Sequence, residues 1–79
     1  MDQDQEEQRE SLEQQLQWTQ GQIRILDEMD GKLNEMKRIA QYVVEHTLTE
    51  IEVEWLNNEL NVLKDEFSSL KKQYYPVLQ

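Results

Sequence analysis

Apolar residues in the first half of the chain recur at helical spacing and form two neighbouring stripes. The first stripe opens with steps of four, three, four and three residues, a spacing typical of a coiled-coil seam, and it comprises Leu12, Leu16, Thr19, Ile23, Leu26, Leu33, Ala40 and Val44. The second stripe comprises Trp18, Ile25, Met29, Met36, Ile39 and Val43. Together they cover roughly half of the helix circumference, more than the roughly 100° typical of a helix with one neighbour. The pattern therefore predicts a helix that contacts more than one other helix.

Two glycines, Gly21 and Gly31, lie within this predicted helix. Gly31 could end the helix as a left-handed cap, or it could lie on the solvent side of a continuous helix at a cost of about 1 kcal/mol. We favour continuity because Gly31 projects away from both stripes. Ser11 fits the start of a capping box, but we favour an earlier start near Gln3. The first helix is thus predicted over about residues 5–45.

The clearest local signal is a helix start that follows residues 46–49. Thr49 and Glu52 have the spacing of a capping box, in which each side chain bonds the backbone amide of the other residue. Leu48 and Val53 have the spacing of a hydrophobic staple across the same cap. We predict a turn at about residues 46–49 and a second helix directly after Thr49.

Two other structures compete with this turn. Residues 51–55 alternate between apolar and polar types as a strand does, but a lone strand would have no partner with which to pair. A single unbroken helix also stays open as an alternative, because residues 46–49 contain neither glycine nor proline.

The second helix has a strict heptad pattern with alternating steps of three and four residues. Its seam comprises Val53, Leu56, Leu60, Leu63, Phe67, Leu70 and Tyr74. Pro76 follows the seam and disfavours helix in the residue before it. We therefore predict a second helix over about residues 50–75 and a short C-terminal tail over residues 76–79.

Length and composition limit how such a chain is stabilised. A chain of 79 residues buries only roughly 60% of the surface that its unfolded form exposes, which is enough for one small core. It has no cysteine, so neither a disulfide nor a Cys-based zinc site is available. Oligomerisation or the packing of long helices must supply stability instead. We predict a single domain over residues 1–79.

The charge argues against two classes of partner. A formal net charge of -9 would be repelled by the phosphates of nucleic acid and by anionic membranes. No apolar run approaches the roughly 20 residues of a membrane-spanning helix, and the N-terminus is acidic where a signal peptide is basic and then apolar. We expect a cytoplasmic protein that binds neither nucleic acid nor membrane.

Residues suited to catalysis or metal binding are few. His46 is the sole histidine, and Ser11, Ser68 and Ser69 have no base at a recognisable spacing. The carboxylates do not follow the alternating ligand pattern of a calcium loop, so solvated helix faces account for them. We expect no enzyme activity, no cofactor and no metal site.

The tryptophans are the strongest candidates for contacts with another chain. Trp55 lies with Ile51 and Val62 roughly opposite the seam of the second helix, so folding of a hairpin alone leaves this patch exposed. Either tryptophan could instead complete a core, but for Trp55 we favour an interface, because buried tryptophans commonly dominate interface energetics. The predicted protein interface comprises Trp18, Ile25, Met29, Met36, Ile51, Trp55 and Val62.

These patterns predict an all-α antiparallel helical hairpin, coiled-coil-like in its packing. Because each helix keeps a second apolar stripe, we expect two hairpins to form a homodimeric four-helix bundle. The leading functional hypothesis is a small acidic adaptor or regulatory protein that acts through helix–helix docking with a protein partner. The alternative is an acidic antagonist that mimics nucleic acid and blocks a basic protein surface. Salt-sensitive binding would favour mimicry, and salt-insensitive binding would favour docking.

Overall fold

The computed structural model describes residues 2–75, which form two α-helices packed as an antiparallel hairpin. Helix α1 spans Asp2–Glu45 and helix α2 spans Glu50–Tyr74. Residues 2–75 contain no strand, so the all-α hairpin is confirmed and the strand and single-helix alternatives are wrong. The predicted tail, with Pro76, lies outside the described residues. Neither described helix is long and apolar enough to cross a membrane.

Helix α1 runs without interruption through both of its glycines. Neither Gly21 nor Gly31 has a positive φ, which confirms that Gly31 is not a left-handed cap. The helix is already formed at Asp2, well before Ser11, so the capping-box start at Ser11 is not used. With 44 residues at 1.5 Å per residue, α1 is about 66 Å long. It therefore sets the long dimension of the molecule, which measures 71 × 24 × 14 Å.

The turn between the helices is closed by the predicted capping box. The Thr49 hydroxyl oxygen accepts a hydrogen bond of 3.2 Å from the Glu52 backbone N–H, and the Thr49 N–H donates one of 3.4 Å to Glu52 Oε1. Leu48 and Val53, the two residues of the predicted staple, line one small cavity together with Ile39. The cap and these apolar side chains fix the direction in which α2 leaves the turn.

The predicted seam of α2 forms the core of the hairpin. Leu56, Leu63 and Leu70 are each 7–8% exposed and are the buried hydrophobic residues of the described chain. Leu60, Phe67 and Tyr74 are half-buried, whereas Val53, nearest the turn, is still 50% exposed. Two helices can bury only one line of side chains between them, so the core is a single row.

On α1, the residues that face α2 belong mainly to the second stripe. Ile25, Met29, Met36 and Ile39 are half-buried. Two polar residues that the stripe did not include, Gln22 and Lys32, are also half-buried. With them, positions that step by three and four residues follow the side of α1 that faces α2. This set, the inner positions, comprises the half-buried residues Gln22, Ile25, Met29, Lys32, Met36 and Ile39, and Val43, which continues the spacing near the turn but is 45% exposed.

Both polar inner positions make a hydrogen bond to α2. Gln22 Nε2 donates to the carbonyl oxygen of Tyr74 over 3.1 Å. Lys32 Nζ donates to Glu66 Oε2 over 3.1 Å and forms an ion pair with it. Polar partners inside an otherwise apolar helix pair specify its register. These two bonds therefore align α2 along α1 at two separate points.

Candidate functional site

The first stripe is left exposed by the hairpin. Its large residues range from 43% exposed at Leu26 to 85% exposed at Val44, although they have the spacing that normally marks a buried seam. Thr19, the polar member of the stripe, donates its hydroxyl to the Gln15 carbonyl of its own helix over 2.9 Å. That hydroxyl is already bonded, so a partner could cover Thr19 without leaving it unsatisfied.

The stripe is more regular than its apolar members alone indicate. Asp30 and Lys37 fill the two gaps in its spacing, so that steps of three and four residues continue from Leu12 to Val44. Both are charged and exposed, so the pattern of apolar residues does not include them. At 1.5 Å per residue the stripe is about 50 Å long.

The direction of the stripe follows from its register against the inner positions. Each inner position is followed immediately by a stripe position, as Ile25 is by Leu26 and Ile39 is by Ala40. One residue corresponds to a rotation of about 100° around an α-helix. The first stripe therefore points to one side of the plane that contains the two helices.

The start of the stripe lies on a segment of α1 that has no neighbour among the described residues. Helix α2 ends at Tyr74, beside Gln22, and residues 2–20 extend beyond it by about 28 Å. We call residues 2–20 the arm; every residue in it is exposed, including Trp18 at 67%. Leu12 and Leu16 of the first stripe also lie on the arm. Most of the stability of helices in proteins comes from packing against a neighbour, and the arm has no such contact with α2.

A second exposed apolar surface lies between the helices near the turn. Trp55 and Val62 of α2 are 59% and 56% exposed and border an open groove of about 620 Å³. We call it the Trp55 groove; its lining comprises Glu35, Arg38, Ile39, Trp55, Asn58, Glu59, Val62, Leu63 and Glu66. Ile39 and Leu63 form its apolar floor, because both belong to the helix–helix seam.

The Trp55 groove and the first stripe open on opposite sides of the hairpin. Apart from Ile39 in the floor, the residues of α1 that line the groove are Glu35 and Arg38. Each comes one residue before an inner position. First-stripe positions come one residue after the inner positions. The two surfaces are therefore rotated by about 100° in opposite senses from the direction of α2. One helical partner cannot cover both.

The residues predicted as an interface fall in three places. Ile25, Met29 and Met36 are half-buried on the side of α1 that faces α2. Trp18 is exposed on the arm, and Trp55 and Val62 border the groove. Ile51, at 78% exposed, lies at the start of α2 and does not line the groove. The structure thus separates these residues instead of assembling them into one patch.

The charges of the molecule are distributed unevenly along it. The arm has one cation, Arg9, and six carboxylates, which are Asp2, Asp4, Glu6, Glu7, Glu10 and Glu13. Beyond the arm, α1 contains four cations, which are Arg24, Lys32, Lys37 and Arg38. The pKa of Lys32 is raised above its ordinary value, chiefly by its hydrogen bond to Glu66 and further by the negative charge of that carboxylate.

The sole histidine, His46, directly follows the last residue of α1. The ring of His46 stacks on that of Tyr42 with 3.9 Å between centroids and 16° between planes. Its Nδ1 lies 2.9 Å from the Tyr42 carbonyl oxygen, which can only accept a hydrogen bond, so Nδ1 carries the proton in this arrangement. Residues 2–75 contain no cluster of three or more histidine or acidic side chains arranged to hold a metal ion.

Comparison with known proteins gave no relative from which a function could be transferred: no family model, no curated protein and no solved structure matches this chain.

Proposed function

We propose that this chain is a small acidic interaction protein, an adaptor or regulator, that acts by helix–helix docking and self-assembles through the first stripe. The observation that carries the proposal is the unpaired stripe on α1, which is about 50 Å long and exposed throughout. An apolar surface of this extent is unusual on a small monomer and marks a contact with another chain. Binding, not catalysis, is the proposed activity.

A second copy of the chain is the occupant that fits the stripe. Its own stripe has the same spacing, and two such seams interlock as a coiled coil. The pairing is antiparallel, because a parallel pair would place Asp30 against Asp30 and Lys37 against Lys37 in its seam. An antiparallel pair avoids both like-charge contacts and brings the acidic arm of one copy toward the half of α1 that contains Lys37 in the other, where opposite charges attract.

This pairing also gives the arm a neighbour. In an antiparallel pair the arm of each copy lies along the half of α1 that α2 already supports in the other copy. Each α1 then contacts α2 on one face and the second α1 on a face about 100° away, which is the arrangement of adjacent helices in a four-helix bundle. The proposed dimer therefore contains four helices, with the two α1 helices in contact.

The test compares a stripe variant with an equally polar change elsewhere. Ile23→Asn with Leu33→Asn places two amides in the centre of the proposed seam, and sedimentation equilibrium should then give 9.6 kDa while α2 stays helical. Ile51→Asn with Val62→Asn is the matched control, because both residues are exposed on α2; it should leave the mass of the assembly unchanged. If the stripe variant and the control have the same mass, the stripe is not the interface.

The same measurement separates apolar docking from nucleic-acid mimicry. Self-assembly through an apolar seam should persist in 1 M salt, where the Debye length is only about 3 Å and contacts between exposed charges are screened. An acidic mimic would instead act as a monomer that binds a basic protein at low salt and releases it at high salt. Dissociation of the assembly by salt alone would contradict the proposed apolar seam.

A further inference from the structure

The Trp55 groove has the shape and spacing of a surface that receives a helix. Trp55 and Val62 are seven residues apart on α2, which is two helical turns or about 10.5 Å along the helix. Their exposed side chains stand beside a floor formed by Ile39 and Leu63. A helix laid along this groove would present apolar residues at matching two-turn spacing, the usual mode of helix-in-groove recognition.

The charges around the groove define the partner further. Three carboxylates, those of Glu35, Glu59 and Glu66, line it together with one guanidinium, that of Arg38. Glu66 is already paired with Lys32, which leaves Glu35 and Glu59 as the groove carboxylates that a partner would meet. A fourth acidic residue, Glu52, lines the hollow on the other side of Trp55. An apolar floor beside an excess of carboxylates complements a helix with one apolar face and Lys or Arg on its flanks.

A second copy of this chain does not match the groove. Each chain has a net charge of -9, and the arm, its free helical segment, has six carboxylates and one cation. Placing that arm beside Glu35 and Glu59 would bring like charges together, which opposes binding. The groove also opens on the side of the hairpin opposite the first stripe, so it stays accessible in the proposed dimer.

We propose that the Trp55 groove binds a basic amphipathic helix of another protein, with an apolar side chain seated between Trp55 and Val62 and cations facing the groove carboxylates. This inference rests on the proposed helix-docking role but does not require self-assembly. It names the chemistry of the partner: an apolar stripe flanked by Lys or Arg.

The probe is a fluorescently labelled amphipathic peptide of about 21 residues, made of leucine and lysine with leucine at heptad spacing. Fluorescence anisotropy should show binding to the full chain and none by the same peptide with glutamate in place of lysine. Trp55→Ser with Val62→Ser should weaken binding by roughly tenfold or more, as expected for loss of a tryptophan anchor. Both residues are exposed, so circular dichroism should show an intact hairpin.

Matched variants locate the binding. Glu35→Gln with Glu59→Gln removes two groove carboxylates and should weaken binding, whereas Glu6→Gln with Glu10→Gln removes two from the arm and should not. Leu16→Ser with Leu26→Ser, in the first stripe, should also leave peptide affinity unchanged. Equal effects of the groove and arm variants would mean non-specific attraction to an acidic protein and would overturn the proposal.

Sedimentation of the Trp55→Ser, Val62→Ser variant without peptide gives an independent outcome. We expect its mass to equal that of the unaltered protein. A lower mass would place a second copy in the groove and overturn the assignment of a basic partner. Failure of the first stripe to assemble the protein would not affect peptide binding, so the two proposals fail separately.

Discussion

Gln22 Nε2 donates a hydrogen bond of 3.1 Å to the carbonyl oxygen of Tyr74, the last residue of α2. The bond joins residues 52 positions apart and satisfies one of the carbonyls that a helix leaves unpaired at its C-terminus. It also marks the point on α1 beyond which α2 no longer packs against it. The arm, and with it the exposed start of the first stripe, follows from this unequal pairing of a long helix with a short one.

Leu63→Ala should destabilise the hairpin by about 2–3 kcal/mol. The side chain is 7% exposed and lies in the single row that forms the core, while an open seam lets neighbours relax toward the cavity, which keeps the cost in the lower part of the usual range. Chemical denaturation at fixed protein concentration measures the change. Val62→Ala is the control, because Val62 is 56% exposed and should cost much less; equal losses would contradict the assigned seam.

Thr49→Ala should cost about 1 kcal/mol, because the variant loses the hydroxyl that accepts the Glu52 N–H at the start of α2. The comparison is Thr47→Ala, which changes a threonine in the same turn but outside the cap. Thermal unfolding of both variants measures the difference. An unchanged stability in Thr49→Ala would show that the capping box does not contribute to the fold.

Gly31→Ala should stabilise the protein by about 0.5–1 kcal/mol, because alanine restricts the unfolded chain and favours helix. A Cβ at Gly31 would meet no other atom within 4 Å, and the same holds at Gly21. Gly21→Ala should therefore give a similar gain. A loss of stability at Gly31 alone would mean that α1 bends or is contacted there, contrary to the continuous helix described above.

The Lys32–Glu66 pair makes the stability of the hairpin depend on pH in the alkaline range. The folded state raises the pKa of Lys32 above its ordinary value of 10.5. The stability contributed by the ion pair is therefore complete at pH values below 10.5 and is lost as the pH rises through the raised pKa. In Glu66→Gln, a nuclear magnetic resonance titration of the Lys32 side chain should show its pKa returning toward the ordinary value. An unchanged Lys32 pKa would contradict the pairing.

Local sequence chemistry was enough to predict the turn and both helices. The capping box at Thr49 and the strict seam of α2 depend on residues close together in the chain, and both are present in the structure. The continuity of α1 through Gly31 was also predicted, because the glycine lies outside both stripes. These features need no knowledge of which surfaces meet.

Which stripe of α1 would pack on α2 could not be read from the sequence. The first stripe, rich in leucine and regular, has the stronger coiled-coil pattern, yet the hairpin leaves it outside. The side of α1 that faces α2 depends on the path of the turn and on the long-range hydrogen bonds made by Gln22 and Lys32. Both residues are polar, so the periodicity of apolar residues does not reveal them. The three-four spacing from Gln22 to Val43 was the signal that included them.

Sedimentation equilibrium of the unaltered protein tests the central claim most directly. We predict an assembly of at least twice 9.6 kDa at micromolar concentration, maintained in high salt, because a second chain would cover the exposed apolar residues of the first stripe. A mass of 9.6 kDa at every concentration would show that the stripe does not join two copies and would contradict the proposed assembly.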